Sequence, residues 1–186
     1  MSVLTIQHES GAGPTEVFKD FRQITQKLGD AGILFEHWKT EVPLKPDDGQ
    51  EQVLEAYRDS VERIKQMYGF QSVDVIGLHP EHPDRAMLRS KFLNEHVHSE
   101  FEVRFFVEGS GLFYLHLNDK VYGVLCEKGD LISVPAGTPH WFDMGTAPSF
   151  RAIRFFTSPE GWVAQFSGSQ IAAQFTDYDN YRSTHK

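Results

Sequence analysis

Between residues 15 and 28, Phe18, Phe21, Ile24 and Leu28 recur at intervals of three to four, which predicts an amphipathic helix stopped by Gly29. Loose alternation over 33 to 41 predicts a strand. Residues 50 to 68 form the clearest helical pattern, with Val53, Leu54, Tyr57, Val61, Ile64, Met67 and Tyr68 on one stripe, Asp47 and Asp48 ahead of it and Gly69 behind it. Residues 72 to 78 read as a strand, and Pro83 punctuates the start of a short helix from Asp84 to Lys91. From about 96 to 156 the period shortens. Aromatic and β-branched runs alternate with turn signals: EGSG at 108–111, NDK at 118–120, EKGD at 127–130 and PAGTP at 135–139. Strands at that spacing predict a barrel or sandwich. GSG at 109–111 reads as a hairpin turn and not a phosphate loop, because no G-x-G-x-x-G pattern follows. The polar tail from 176, TDYDNYRSTHK, is expected to fray.

No internal repeat or long linker interrupts the chain. The reading is one domain over residues 1–186, with a helical part to about 92, barrel motifs over about 93–166 and a polar tail over about 176–186. Its fold class is mainly β with flanking helices. The 15 phenylalanines imply an aromatic-rich core or pocket, and the net charge of -8 argues against nucleic acid, whose phosphates need clustered Lys and Arg. Cys126 is the one cysteine, so no intrachain disulfide can form; in an apolar strand it reads as a buried inert thiol. The opening MSVLTIQHES lacks a basic segment followed by an apolar run, and no stretch approaches ~18 apolar residues. No membrane association is expected, and the chain is read as a cytoplasmic monomer.

The informative chemistry lies in NEHVHSEFEVRFF and VPAGTPHWF. His96 and His98 are two apart, so on a strand both face the same side, and Glu102 keeps that parity. His140 from a second strand would complete three imidazoles and one carboxylate. That set suits Fe, Ni, Mn, Co or Zn, and without thiolate it argues against a closed structural zinc site. Four protein ligands on a six-coordinate metal leave two positions open for a bidentate substrate. The other histidines, His8, His37, His79, His82, His116 and His185, read as structural or exposed.

Arg104 shares the parity of Glu102. An inward Arg is costly unless it meets negative charge, so it either pairs with a carboxylate such as Glu100 or anchors an anionic substrate. Arg154, in FRAIRFF, is a second anchor candidate. Phe92 and Phe142 flank the two motifs, either as core or as pocket walls; Trp141, Trp162, Phe105 and Phe106 read as core.

HVHSEFE with Gly109, then Gly129, Pro135, Gly137 and His140, resembles the two cupin motifs, although the leading Gly of the first and the closing Asn of the second are missing. The run from KFLNEH to HWFDMG, with FRAIRFF and EGWVAQF after it, resembles the acireductone dioxygenase family of methionine salvage from about Lys91 to Phe166. Phe101 departs from that family, which often carries an acid there. The resemblance implies a cupin double-stranded β-helix and one divalent metal, Fe(2+) or Ni(2+), on His96, His98, Glu102 and His140. It also implies O2 cleavage of an acireductone, for which the inward Arg104 is read as catalytic and substrate-binding residue. Another cupin dioxygenase, a metal-dependent isomerase or a non-catalytic ligand sensor are the alternatives.

Overall fold

The computed structural model describes residues 1–39, 42–45, 47–158 and 163–185; Trp162, read as core from sequence, lies outside them. The elements in chain order are β1 (Val3–His8), β2 (Glu16–Phe18), α1 (Phe21–Asp30), β3 (Leu34–His37), α2 (Gln50–Ala56), α3 (Arg58–Tyr68), β4 (Ser72–Leu78) and α4 (Arg85–Ser90). Then come β5 (His96–Val97), β6 (Glu102–Leu117), β7 (Lys120–Glu127), β8 (Asp130–Val134), β9 (His140–Asp143), β10 (Phe150–Phe156), β11 (Gln165–Phe166) and α5 (Tyr178–His185). All strand pairs are antiparallel.

The sixteen-residue β6 joins both halves of the sheet. Its first half pairs with β10 and β8, and its second with β7 and β9. GSG at 109–111 is therefore not a hairpin turn: the strand runs through it and bends. Arg151 pairs with Glu108 but Ala152 pairs with Phe106, so Val107 is a bulge residue. The extra residue flips the parity. Val103, Phe105 and Val107 lie outward before it, and Leu112 and Tyr114 outward after it, while Phe106, Phe113 and Leu115 line the interior. Gly109 makes the corner with φ +72 and so little room that a Cβ would lie 1.8 Å from the Ser149 carbonyl oxygen.

Three apolar clusters follow from that parity. The barrel interior holds Phe106, Phe113, Phe142 and Phe150, and α1 adds the buried Ile24 and Leu28. Each such aliphatic side chain contributes about 1.5–3 kcal/mol when fully buried. On one outer face α2 and α3 lay Val53, Tyr57, Val61 and Ile64 over Phe105, Leu131, Ile153 and Phe155. On the other, Ile171, Tyr178 and Tyr181 cover Leu112, Tyr114, Leu125 and Trp141. The aromatic-rich core, the buried Cys126 and the core positions of Trp141, Phe105 and Phe106 agree with the sequence reading.

Three elements differ from it. The predicted helix over 15–28 begins at Phe21, where the Asp20 carboxylate accepts from the Gln23 backbone N–H at 3.1 Å, and residues 16–18 pair with β1 instead. The 50–68 helix breaks at Tyr57, whose ring turns onto Phe105 at 4.7 Å. The tail does not fray: it forms α5. Tyr178 and Tyr181 are buried there, and the Tyr181 hydroxyl donates to the Gly123 carbonyl at 2.9 Å. Among the described residues no helix is long and apolar enough to cross a membrane.

Gly111 faces the interior, where an added Cβ would come 2.4 Å from Phe142 Cε2 and 3.2 Å from Phe106 Cε1. Gly111→Ala is expected to destabilise the fold by about 1–3 kcal/mol through overpacking. Urea denaturation measures it; an unchanged midpoint would show that the Phe142 ring yields freely.

Candidate metal centre

The residues singled out by parity converge. His96 is the first residue of β5, His98 lies just beyond its end, Glu102 opens β6 and His140 opens β9, where it pairs directly with His96. One donor atom from each of the four lies within 4.8 Å of the others, and the side chains are 1–4% exposed. Ring centroids of His96 and His140 are 4.5 Å apart.

Local backbone fixes the rings. The Nδ1–H of His96 donates to the Asn94 carbonyl and that of His140 to the Thr138 carbonyl, each at 2.7 Å. In each case the acceptor is two residues upstream, and Nε2 is left for the centre. Glu102 Oε2 lies 3.0 Å from His140 Nε2 and 3.1 Å from His98 Nε2. Its other oxygen, Oε1, accepts from Arg104 Nη2 at 2.8 Å. Burial alone would raise the Glu102 pKa. The Arg104 charge and the contacts with His140 and His98 outweigh it and hold the carboxyl well below its ordinary range. Burial, followed by the nearby His140, pushes His96 down to about 4. Neutral imidazoles and an ionised carboxylate are the protonation states that ligate a divalent metal, so the donor set fits such an ion.

Arg104 does not pair with Glu100. The Glu100 carboxylate instead accepts from the backbone N–H of Thr157 and Ser158 and from Ser158 Oγ, because Glu100 lies before β6 and outside the barrel row of Glu102. The Arg104 guanidinium stacks 4.5 Å from the Phe142 ring and 5.3 Å from Phe113. Arg154 is its register partner on β10 and so shares its face. Arg154 is half-buried and forms a two-point ion pair with Asp74 of β4, at 2.9 and 2.6 Å. The Phe92 ring is half-buried, 6.4 Å from that of His96.

Sequence reading missed Phe113, Phe166, Asp74 and Glu95. Phe166 pairs with His96 in register and sets its ring 5.8 Å away; nothing local in the sequence marks that pairing. Glu95, on the reverse side of β5, is 5% exposed and accepts from Ser167 Oγ at 2.6 Å and His116 Nδ1 at 2.7 Å. His116 Nε2 reaches Glu9 at 2.8 Å.

An antiparallel barrel that buries three imidazoles and one carboxylate on adjoining strands defines a metal-binding cupin. The chain matches the ARD/ARD' family over residues 7–164. It is 53% identical over 181 residues to the acireductone dioxygenase of Methylococcus capsulatus, covering 97% of each chain. It is 52% identical over 182 residues to that of Aquifex aeolicus, covering 96% of this chain and 97% of the relative. The acireductone dioxygenase of Bacillus anthracis, solved with a cadmium ion in its active centre, superposes with a TM-score of 0.78 at 29% identity, over 89% of this chain and 98% of that one. The chain belongs to the ARD/ARD' family and is a dioxygenase.

Two outcomes follow from the electrostatics. Arg104→Met leaves a buried carboxylate uncompensated, a loss of about 3 kcal/mol or more. A bound divalent cation would supply the missing charge, so the fall in melting temperature should be larger with chelator than with Ni(2+); equal falls would refute the charge argument. Burial lowers the His116 pKa, but hydrogen bonds to Glu95 and Glu9 outweigh it and raise it above its ordinary 6.5. The folded state therefore binds this proton more tightly than the unfolded state. The stabilisation is complete below pH 6.5 and is lost as pH rises through the raised value. The stability gap between wild type and His116→Ala should narrow as pH is raised above 6.5 in urea titrations.

Proposed function

We propose that this chain cleaves the acireductone 1,2-dihydroxy-3-keto-5-methylthiopentene with O2 in methionine salvage, using one Fe(2+) or Ni(2+) on His96, His98, Glu102 and His140. The observation that carries the reading is the convergence of those four buried donors beside a buried arginine in a chain about half identical to named acireductone dioxygenases. Bound there, the metal would act as Lewis acid and template for the enediol oxygens. With Fe(2+) the products would be formate and 2-keto-4-methylthiobutyrate, and with Ni(2+) formate, CO and methylthiopropionate.

The protein's own groups have distinct tasks in this reading. Arg104 holds Glu102 by one oxygen and keeps that carboxylate ionised. Its fixed positive charge also lies where an anionic substrate would gather negative charge. Arg154, partly exposed on the same face, meets the anion first and can exchange its Asp74 partner for it. Phe142 and Phe113 beneath Arg104, with Phe92 beside His96, exclude water from the reacting centre.

The test is to strip the protein, reload it anaerobically with Fe(2+) or Ni(2+), add acireductone and O2, and identify the products. Formate plus keto acid from one form and CO from the other supports the proposal. No acceleration from either metal, with one ion still bound, sinks the substrate assignment and leaves the site. His96→Ala should stay folded but lose metal and activity. Arg154→Ala should raise KM about tenfold or more, as loss of a charged contact does, with metal content unchanged.

A further inference from the structure

β5 has two residues, and it supplies His96 and leads directly to His98. Among the described residues its ladder partners are β9, through the single pair His96–His140, and β11, through two pairs. So short a strand has few ladder bonds of its own, yet it and the residue just beyond it supply two of the four donors. What holds it from behind is Glu95. Its backbone carbonyl accepts from the Ser167 N–H at 3.1 Å. Its carboxylate, 5% exposed, is closed by Ser167 Oγ at 2.6 Å and His116 Nδ1 at 2.7 Å. His116 belongs to β6, the strand that carries Glu102, and its own backbone N–H donates to the Pro139 carbonyl, next to His140, at 2.8 Å. One residue thus touches the flanks of both segments, that of His96 through its imidazole on Glu95 and that of His140 through its backbone N–H on Pro139. Its second ring nitrogen faces Glu9, at 2.8 Å. With a carboxylate on each nitrogen, both nitrogens serve as donors.

We infer that His116 is a positioning residue for the metal centre: through its Nδ1 bond to Glu95 it fixes the two-residue strand that presents His96 and His98, and so sets how tightly the ion is retained. The inference rests on the metal reading of the site and goes beyond it by placing a determinant of retention outside the ligand set. Partners that orient ligating side chains are worth about 10–100-fold in metal affinity, and one acting through a neighbouring backbone falls near the lower end.

Two amides separate the bonds of the imidazole. In His116→Asn the amide nitrogen takes the place of Nδ1 and keeps the donor to Glu95. In His116→Gln the amide lies one atom further out, keeps reach toward Glu9 and loses Glu95. Each protein is loaded with Ni(2+), and release into excess chelator is timed while thermal melts of the metal-free forms are recorded. The expected result is release about tenfold faster from the Gln variant than from wild type, with the Asn variant close to wild type even where both melt lower. Equal release from all three overturns the inference, and so does equal acceleration in both variants, which would make the effect general loosening. A wild-type chain that takes up no Ni(2+) overturns the metal reading and this inference with it; a wild type that binds while the variants behave alike overturns only the latter.

Discussion

Everything at the centre depends on keeping Glu102 ionised inside a barrel whose interior is largely apolar. A carboxylate there loses its hydration, and the lone alternatives are protonation or an adjacent cation. Arg104, two residues along the same strand and on the same face, is the fixed cation. Its own burial is offset by that pair and by the faces of Phe142 and Phe113. The positive charge that balances Glu102 is already present in the wall. The polar heart of the barrel is thus a charge pair first and a donor set second.

The strand that bears this pair also has to serve two half-sheets. The bulge at Val107 and the corner at Gly109 make that possible. Before the bulge β6 faces Glu102 and Arg104 inward and lends Val103 and Phe105 to the helical layer; after it, Phe113 turns inward and Tyr114 meets the C-terminal segment. Without the parity change, either the charged pair or the phenylalanine floor beneath it would point out of the barrel.

The four donors were legible in part from local rules: period two sets His96 and His98 on one side, and turn glycines lie ahead of His140, but Glu102 opens a separate strand, β6, which strand parity from His96 does not reach. Helix stripes and β4 were legible from local rules too. What escaped the sequence was decided by distant partners. The Glu16–Phe18 segment carries helix-compatible residues, yet β1 offered it a ladder. The tail from Thr176 reads as polar, yet two tyrosines spaced by three bury their rings against the sheet. GSG reads as a turn by composition, although a bend within a strand uses the same conformational freedom. The partner of Arg104 was misplaced by two residues because Glu100 and Glu102 share parity, and only the start of β6 at Glu102 separates them.

The Tyr181 hydroxyl lies 3.2 Å from Thr5 Oγ1, and Asp143 accepts from the Tyr178 backbone N–H and from Arg89. The outer wall behind the His140 strand is therefore closed by a segment that follows it in the chain, against a strand that lies far ahead of it. While this chain emerges from a ribosome, β1 and β9 must wait for some forty residues that follow His140. Long-range closure of this kind slows folding and lengthens the exposure of sheet surface. The protein is vulnerable during its birth at the wall nearest its chemistry.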